Sequence, residues 1–204
     1  MCISRHRRQR GITLIELIMF IVIVSVALVG VLTVLNVTTR SSADPMIRKQ
    51  MLAIAEAVLE EVQSQPFTYC DPDDRSVATA TSAVLDATAT NPLQCWDAVE
   101  VAGTETVSGN TDARLSATFP FDNVSDYNGL ALASPIPGVS GNTFAPAGYT
   151  ATIAVASDAV FGPAGARPPA AAVLRITVTV THTATGNSIA LEGYRTRFSP
   201  NFTP

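Results

Sequence analysis

The chain has 204 residues, of which 47% are hydrophobic and only 15% are charged, and its mean hydropathy is +0.27. This composition is more apolar than that of an ordinary cytosolic domain. It also excludes a wholly disordered chain, which could not bury enough apolar surface to offset the entropy lost on folding. The net charge of −4 gives no indication of nucleic-acid binding.

The first ten residues contain a cluster of basic side chains and no acid: Arg5, Arg7, Arg8 and Arg10. Residues 12–37 follow, and Glu16 is the only ionised residue among these 26. As a helix they would be about 39 Å long, enough to cross a hydrocarbon layer of about 30 Å. The positive-inside rule keeps the arginines in the cytoplasm and sends the acidic body across the membrane. A cleaved secretory signal would have a shorter apolar core, with its cleavage site after that core.

Glu16 is unusual because a carboxylate inside an apolar helix costs about 2.5–3.5 kcal/mol on insertion scales. One interpretation is that the side chain reaches the lipid headgroups at the cytoplasmic interface. The other starts from a cut after Gly11, which would give Ile12 a new α-amino group one helical turn from Glu16. The carboxylate could then pair with this ammonium, in its own chain or in a neighbouring subunit, and fix the axial register.

The string R-G-I-T-L-I-E at positions 10–16 resembles the prepilin motif of type IV pilins and of type II secretion pseudopilins, usually written G-F-T-L-x-E. The chain departs from this motif at Ile12, where Phe is usual. The resemblance implies cleavage after Gly11, N-methylation of Ile12 and a role for Glu16 in assembly. The partners it implies are other pilin subunits, the prepilin peptidase/N-methyltransferase, the inner-membrane assembly platform and the membrane.

The residues after the apolar segment predict a second, amphipathic helical stretch over 44–65. Asp44 and Pro45 suit a new helix start, although Pro45 could equally kink one long helix. The apolar positions beyond them are spaced by three or four and define one helix face, and Pro66 ends the pattern. That face consists of Ile47, Met51, Ile54, Val58 and Val62.

Beyond Phe67 the composition becomes rich in Thr, Ala, Ser, Gly and Pro, with four runs that favour β-strands. The predicted strands are Ala113–Phe119, Tyr149–Ala156, Ala172–His182 and Ser188–Phe198. The last two are predicted to form a hairpin. The stretch from Phe121 to Pro146 is expected to be a long irregular connection of functional or poorly ordered type. The predicted class is α+β, a long N-terminal helix packed on an antiparallel sheet, as in type IV pilins.

Cys2 would be lost with the leader, which leaves Cys70 and Cys95 as a pair in an oxidising compartment. A disulfide is the expected outcome. Zinc is the rival, but two thiols without a nearby His do not make a zinc site.

Two groups of acids raise the question of calcium: Asp71, Asp73 and Asp74 in one, and Asp122 and Asp126 in the other. No calcium-loop spacing with a closing Glu is present, so we expect solvated loop carboxylates and no metal or cofactor.

Catalytic motifs are also missing, and His182 is the only histidine left after the leader is removed, so an enzyme is not expected. Four short segments resemble minor pilins of mannose-sensitive haemagglutinin (MSHA) pilus systems: Ser41–Pro45, Leu59–Glu61, Phe121–Gly129 and Leu191–Arg197. This resemblance implies a low-abundance subunit that helps to initiate or cap a surface filament used in attachment. A minor pseudopilin of a type II secretion system, a signal-anchored periplasmic binding module or enzyme, and a filament-tip adhesin are the alternatives.

The resulting domain prediction is a leader at 1–11, a membrane helix at 12–39, an amphipathic helix at 44–65 and a globular β-rich head at 67–204. The leader is expected in the cytoplasm of a Gram-negative bacterium, with the helix in the inner membrane and the head in the periplasm. The mature subunit is then expected in a pilus at the cell surface.

Overall fold

The computed structural model describes residues 11–107 and 109–197, without the side chains of 37–44. The leader before Gly11, Cys2 included, and the strand end predicted at Phe198 lie outside the described residues. The chain divides into an N-terminal unit, residues 1–46, and a head, residues 47–204, and each is described by itself.

The first element is helix α1, Leu14–Ser64, which contains Pro45. From the sequence, either a new helix start or a kink was possible at Pro45. Helical secondary structure continues through this position. In the head, α1 buries the predicted apolar face, since Met51, Ile54, Val58 and Val62 are each at most 5% exposed. The spacing of three and four residues therefore identified the face that packs on the sheet.

The sheet of the head has four antiparallel strands in the order β3-β4-β5-β6, which is also their order in the chain. Their bounds are β3 Ala131–Leu132, β4 Tyr149–Ser157, β5 Val173–His182 and β6 Ser188–Thr196. Strand β5 alternates as predicted, with Ile176, Val178 and Val180 fully buried. A separate two-stranded ribbon pairs β1 Thr106–Val107 with β2 Asn110–Thr111. The α+β class predicted from the sequence is confirmed.

Helix α1 approaches β6 closely at Gly193. A Cβ atom at this position would collide with Gln63 Nε2 and lie 3.0 Å from Leu59 Cδ1, so both of these side chains would have to move. The amide of Gln63 also donates to the Tyr194 carbonyl oxygen at 3.4 Å. Gly193 therefore lets the helix lie directly on the last strand.

The first part of the stretch between Phe121 and Pro146 contributes to the core, so it is not the poorly ordered loop that the sequence allowed. It contains the 3₁₀ helix Val124–Tyr127, whose four residues are all buried. Leu132 and Ile136 follow and pack in the same hydrophobic cluster as α1. The stretch has no period because its backbone is irregular, and its buried residues are mixed with exposed ones such as Val139 and Phe144.

The strand predicted at Ala113–Phe119 is wrong. This segment folds back on itself, with the Ala113 amide donating to the Phe119 carbonyl at 3.0 Å and the Ser116 amide donating to Ala113. Leu115 is 49% exposed in this segment, whereas Arg114 is buried. A buried ion pair of Arg114 decides the direction of the segment.

Candidate functional site

The residues of the predicted processing site are exposed in the N-terminal unit. Gly11 and Ile12 come before α1, and Ile12 is 73% exposed. A Cβ atom added at Gly11 would meet no atom within 4 Å, and its φ lies outside the left-handed region. Nothing in the described fold therefore requires glycine at position 11, so its requirement would have to come from a partner such as a peptidase.

Thr13 and Glu16 form the first turn of α1. Thr13 Oγ1 accepts a hydrogen bond from the backbone amide of Glu16 at 3.4 Å. Thr13 therefore acts as the N-cap of α1, since an N-cap side chain accepts from the amide three residues later. The Glu16 side chain is exposed, and its negative charge suits the positive end of the helix dipole. Cleavage after Gly11 would place the new α-amino group of Ile12 about one turn from this carboxylate.

The segment Leu14–Asn36 of α1 has a mean hydropathy of 3.0, and none of it is buried within the protein. Its exposed side chains are apolar on all sides of the helix. The hydroxyls of Ser25 and Thr33 donate to the carbonyls of Ile21 and Val29 at 2.7 and 2.8 Å, so they need no outside partner. This surface is suited to lipid or to the apolar helices of other subunits, and its length is enough to span a membrane.

A buried ion pair joins α1 to the loops of the head. Arg114 holds both carboxylate oxygens of Glu61 at 2.7 Å, and its side chain is only 5% exposed. The Tyr127 hydroxyl donates to Glu61 Oε1 at 3.0 Å, and Arg114 Nη1 donates to the Pro137 carbonyl at 2.8 Å. Burial, followed by the charge of Glu61, raises the pKa of Tyr127, which therefore stays a donor. No sequence pattern indicated this pair, because its members are 53 residues apart.

A cleft of about 740 Å³ opens beside this ion pair in the head. Its wall includes apolar side chains of Phe121, Val139 and Phe144, together with the polar group formed by Glu61 and Arg114. The stretch that the sequence suggested for a possible adhesive contact thus contributes to a concave surface.

Cys70 and Cys95 form a disulfide across a separation of 25 residues. Asp74 stabilises the segment around this disulfide, residues 70–98, which is called the disulfide lobe. Its Oδ1 accepts from the amide and hydroxyl of Ser76 at 2.7 and 2.6 Å, and its Oδ2 accepts from the amides of Asp97 and Ala98 at 2.6 and 2.8 Å. Burial would raise the pKa of Asp74, but these hydrogen bonds outweigh burial and lower it.

The sequence predicted solvated carboxylates in the two groups of acids for which calcium was considered, and this prediction is wrong for most of these residues. Asp73 is exposed, but Asp71, Asp74 and Asp126 are each at most 2% exposed. Two trios of carboxylates form instead, one of Asp71, Glu100 and Glu105 and the other of Asp112, Asp122 and Asp126. The charges of each trio act on the pKa values of the other, and the two trios together are called the carboxylate centre. Sequence analysis missed three of its members, because Glu100, Glu105 and Asp112 belong to no acidic run.

The net pKa shift of every acid in the carboxylate centre is upward. Burial, followed by the charges of neighbouring carboxylates, raises the pKa of Asp122 to about 8 and that of Asp112 to about 6. Burial also raises the pKa of Asp126 to about 6, although amides of Asn123 and Asp122 partly offset the effect. Glu100 and Glu105 have raised pKa values for the same two reasons as Asp122.

Comparison with known proteins places one segment of the chain in a family. Residues 6–32 match the prokaryotic N-terminal methylation motif. Together with the helix and the four-stranded antiparallel sheet, this match supports a type IV pilin-like protein, a pilin or a pseudopilin subunit, and implies other pilin subunits and prepilin peptidase as partners. Type IV pilin-like proteins are structural and not enzymes, in agreement with the expectation from the sequence. No curated protein and no solved structure matches the chain significantly.

Proposed function

We propose that the chain is a minor type IV pilin subunit of the MshD type, which helps to initiate, cap or assemble an MSHA-type filament used in attachment. One observation carries the proposal: Gly11, Ile12 and Glu16 stand at prepilin spacing at the start of an apolar helix whose surface is uncovered. An ordinary membrane anchor would explain the apolar helix, but it gives no reason for this spacing.

The assignment to MSHA systems draws on the short segments of resemblance, three of which lie in the described part of the head. The Leu59–Glu61 segment contacts the Phe121–Gly129 segment through the hydrogen bond between Glu61 and Tyr127. It also lies against Leu191–Arg197 through the close approach of Leu59 to Gly193. The three segments are therefore neighbours around one part of α1. We treat them together as one region of resemblance to minor pilins of MSHA systems.

The proposed mechanism is assembly by helix packing. The leader stays in the cytoplasm, the apolar part of α1 enters the inner membrane and the head lies in the periplasm. Extraction into a filament exchanges lipid contacts for contacts among apolar helices, so little apolar surface reaches water. Glu16 then pairs with the amino group of an adjacent subunit's first residue, since a misplaced subunit would leave a charge unpaired.

The first test is the intact mass and N-terminal sequence of the protein, isolated from membranes of cells that carry the matching prepilin peptidase. We expect a mature chain that begins at methylated Ile12, with Cys70 and Cys95 together two hydrogens short of free thiols. A chain that still begins at Met1 beside an active peptidase would overturn the proposal and leave a signal-anchored domain.

A second test separates the pilus from the secretion pseudopilus. Filaments sheared from the cell surface should contain the mature subunit, and deletion of its gene should reduce filament number and attachment. If deletion instead abolishes protein secretion and leaves surface filaments unchanged, the chain is a pseudopilin.

A further inference from the structure

The carboxylate centre brings together acids from four separate parts of the head. Three of them, Asp71, Glu100 and Glu105, each place a carboxylate oxygen within 4.8 Å of the other two. The remaining three, Asp112, Asp122 and Asp126, do the same. Calcium binds oxygens at about 2.3–2.6 Å, so two oxygens on one ion are at most about 5 Å apart. Each trio therefore has the dimensions of a shell around one cation.

Several oxygens of the centre are buried without a hydrogen-bond donor. Asp71 and Asp126 are each 1% exposed, yet Asp71 Oδ2 and Asp126 Oδ1 receive no hydrogen bond within residues 11–107 and 109–197. The same holds for Asp122 Oδ1 and for both carboxylate oxygens of Glu100 and of Glu105, which are also inaccessible to water. A buried polar group without a partner is costly, and a buried charge is more costly still.

The second oxygens of the two aspartates show that the backbone already orients these side chains. Asp71 Oδ1 accepts from the Asp73 amide at 2.6 Å. Asp126 Oδ2 accepts from the amides of Asp122 and Asn123 at 2.9 and 2.8 Å, which closes the capping box of the 3₁₀ helix. In both residues one oxygen is fixed by amides, and the other belongs to the centre.

Arg197 is the basic residue whose pKa is affected by the charge of Glu100, but its hydrogen bonds are made elsewhere. Its guanidinium lies over the rings of Phe67 and Tyr69, at 4.0 and 4.3 Å. Its Nη1 and Nη2 donate to the carbonyls of Ala171 and Thr68. Arg197 therefore leaves most of the negative charge of the centre uncompensated.

We propose that the carboxylate centre is a calcium site. All its donors are carboxylate oxygens, which hard divalent cations prefer, and the set contains neither thiol nor imidazole. Carboxylates can bind in mono- or bidentate fashion, so three of them supply most of the six to eight oxygens that calcium takes. Magnesium is disfavoured because it requires near-ideal octahedral geometry and keeps several of its waters.

The bound ion would tie the irregular half of the head to its core. Asp71 follows disulfide-bonded Cys70, and Asp126 lies in the 3₁₀ helix beside the core residue Tyr127. Glu105 and Asp112 flank the two-stranded ribbon, and the Asp112 amide donates to the Glu105 carbonyl. An ion in the first trio would therefore join the disulfide lobe to the ribbon through Asp71 and Glu105, and an ion in the second would join the ribbon to the 3₁₀ helix through Asp112 and Asp126. This role is independent of the proposed function in assembly.

The test is the thermal unfolding of the full-length chain in a non-ionic detergent, with either excess chelator or about 5 mM calcium, which exceeds the usual range of ~10⁻⁴–10⁻³ M for extracellular calcium modules. Calcium should raise Tm by about 5–10 °C, and the same concentration of magnesium should raise it much less. An unchanged Tm would overturn the proposal, and equal stabilisation by magnesium would overturn the assignment to calcium.

Matched variants locate the effect. Glu105→Gln and Asp122→Asn each replace one carboxylate ligand of a different trio by a neutral amide, whereas Glu192→Gln changes an exposed residue of β6. In chelator the two centre variants should unfold at or above the wild-type Tm, because they avoid the cost of burying an acid that has a raised pKa. In calcium they should fall below it, and Glu192→Gln should follow the wild type. If the centre variants keep the full calcium shift, the ion binds elsewhere and the proposed site is wrong.

Discussion

The N-terminal unit and the head use charge and apolar surface in opposite ways. The N-terminal unit exposes its apolar side chains and has one ionised residue, Glu16, in the segment that could span a membrane. The head buries its apolar side chains and, with them, Arg114 and several carboxylates. The first arrangement needs lipid or other subunits to cover it, whereas the second finds most of its partners within the chain. Contacts with other molecules should therefore govern changes in the first unit, and folding free energy should govern changes in the second.

The largest expected effect is the loss of processing in Gly11→Ala. A methyl group at position 11 meets no atom within 4 Å, so the fold should be unaffected while the peptidase no longer cleaves. On co-expression with prepilin peptidase, the mobility shift of the mature chain should disappear. Gly30→Ala is the control, because it also adds a methyl group that meets no atom within 4 Å. A normal shift in Gly11→Ala would remove the basis for the predicted cleavage site.

Glu16→Ala should leave membrane insertion intact and reduce incorporation into filaments by about tenfold or more. The reason is that the unpaired ammonium of a neighbour costs at least about 2.5 kcal/mol in an apolar surrounding. The measurement is the ratio of subunit in sheared filaments to subunit in membranes. Ser25→Ala is the control, since its hydroxyl bonds only within its own helix turn. Undiminished incorporation would show that Glu16 reaches headgroups or only supports the first helical turn.

In the head, Arg114→Met should lower the free energy of unfolding by about 3–5 kcal/mol, because the substitution leaves Glu61 buried without its cation. Chemical denaturation of the full-length chain measures the change. The control is Arg75→Met, which breaks an equally well-formed pair with Asp97, but Arg75 is 64% exposed. The control should cost far less. Equal losses in the two variants would contradict the contrast between buried and exposed charge.

Reduction of the disulfide, or the double change Cys70→Ser and Cys95→Ser, should cost about 3 kcal/mol, because a closed loop of 25 residues restricts the unfolded chain. Denaturation with and without reductant measures it. The double variant should be insensitive to reductant, and a reductant-sensitive double variant would point to another cause.

Asp74→Asn should have the smallest effect, about 1–2 kcal/mol at pH 7. Asn keeps one acceptor oxygen, but the NH2 group that replaces the other cannot accept the hydrogen bonds that Asp74 Oδ2 receives from the amides of Asp97 and Ala98. The folded-state pKa of Asp74 lies below its ordinary value of 3.8, so its contribution is present above pH 3.8 and is lost as the pH falls through the lower folded value. The difference from wild type should therefore shrink in acid. A difference that grows as the pH falls would contradict the lowered pKa of Asp74.

The sequence by itself determined the features of this protein that depend on residues close together in the chain. The prepilin-like string, the apolar segment, the helix face at Met51, Ile54 and Val58 and the alternation in β5 all depend on spacing along a few turns or one strand. Periodicity shows which side of an element is apolar, so these predictions needed no knowledge of the rest of the chain. The disulfide belongs with these features, because two cysteines left after the leader and an oxidising compartment were enough to predict it.

Only the tertiary structure decided which polar residues are buried together. Arg114 turns inward because Glu61 lies 53 positions earlier on α1, and this pairing replaces the strand predicted at Ala113–Phe119. The carboxylate centre likewise draws Asp71, Glu105 and Asp126 from different loops, where each looks like an ordinary solvated acid. Burial and the interaction of charges depend on distance in space, and irregular segments carry no period from which that distance can be read.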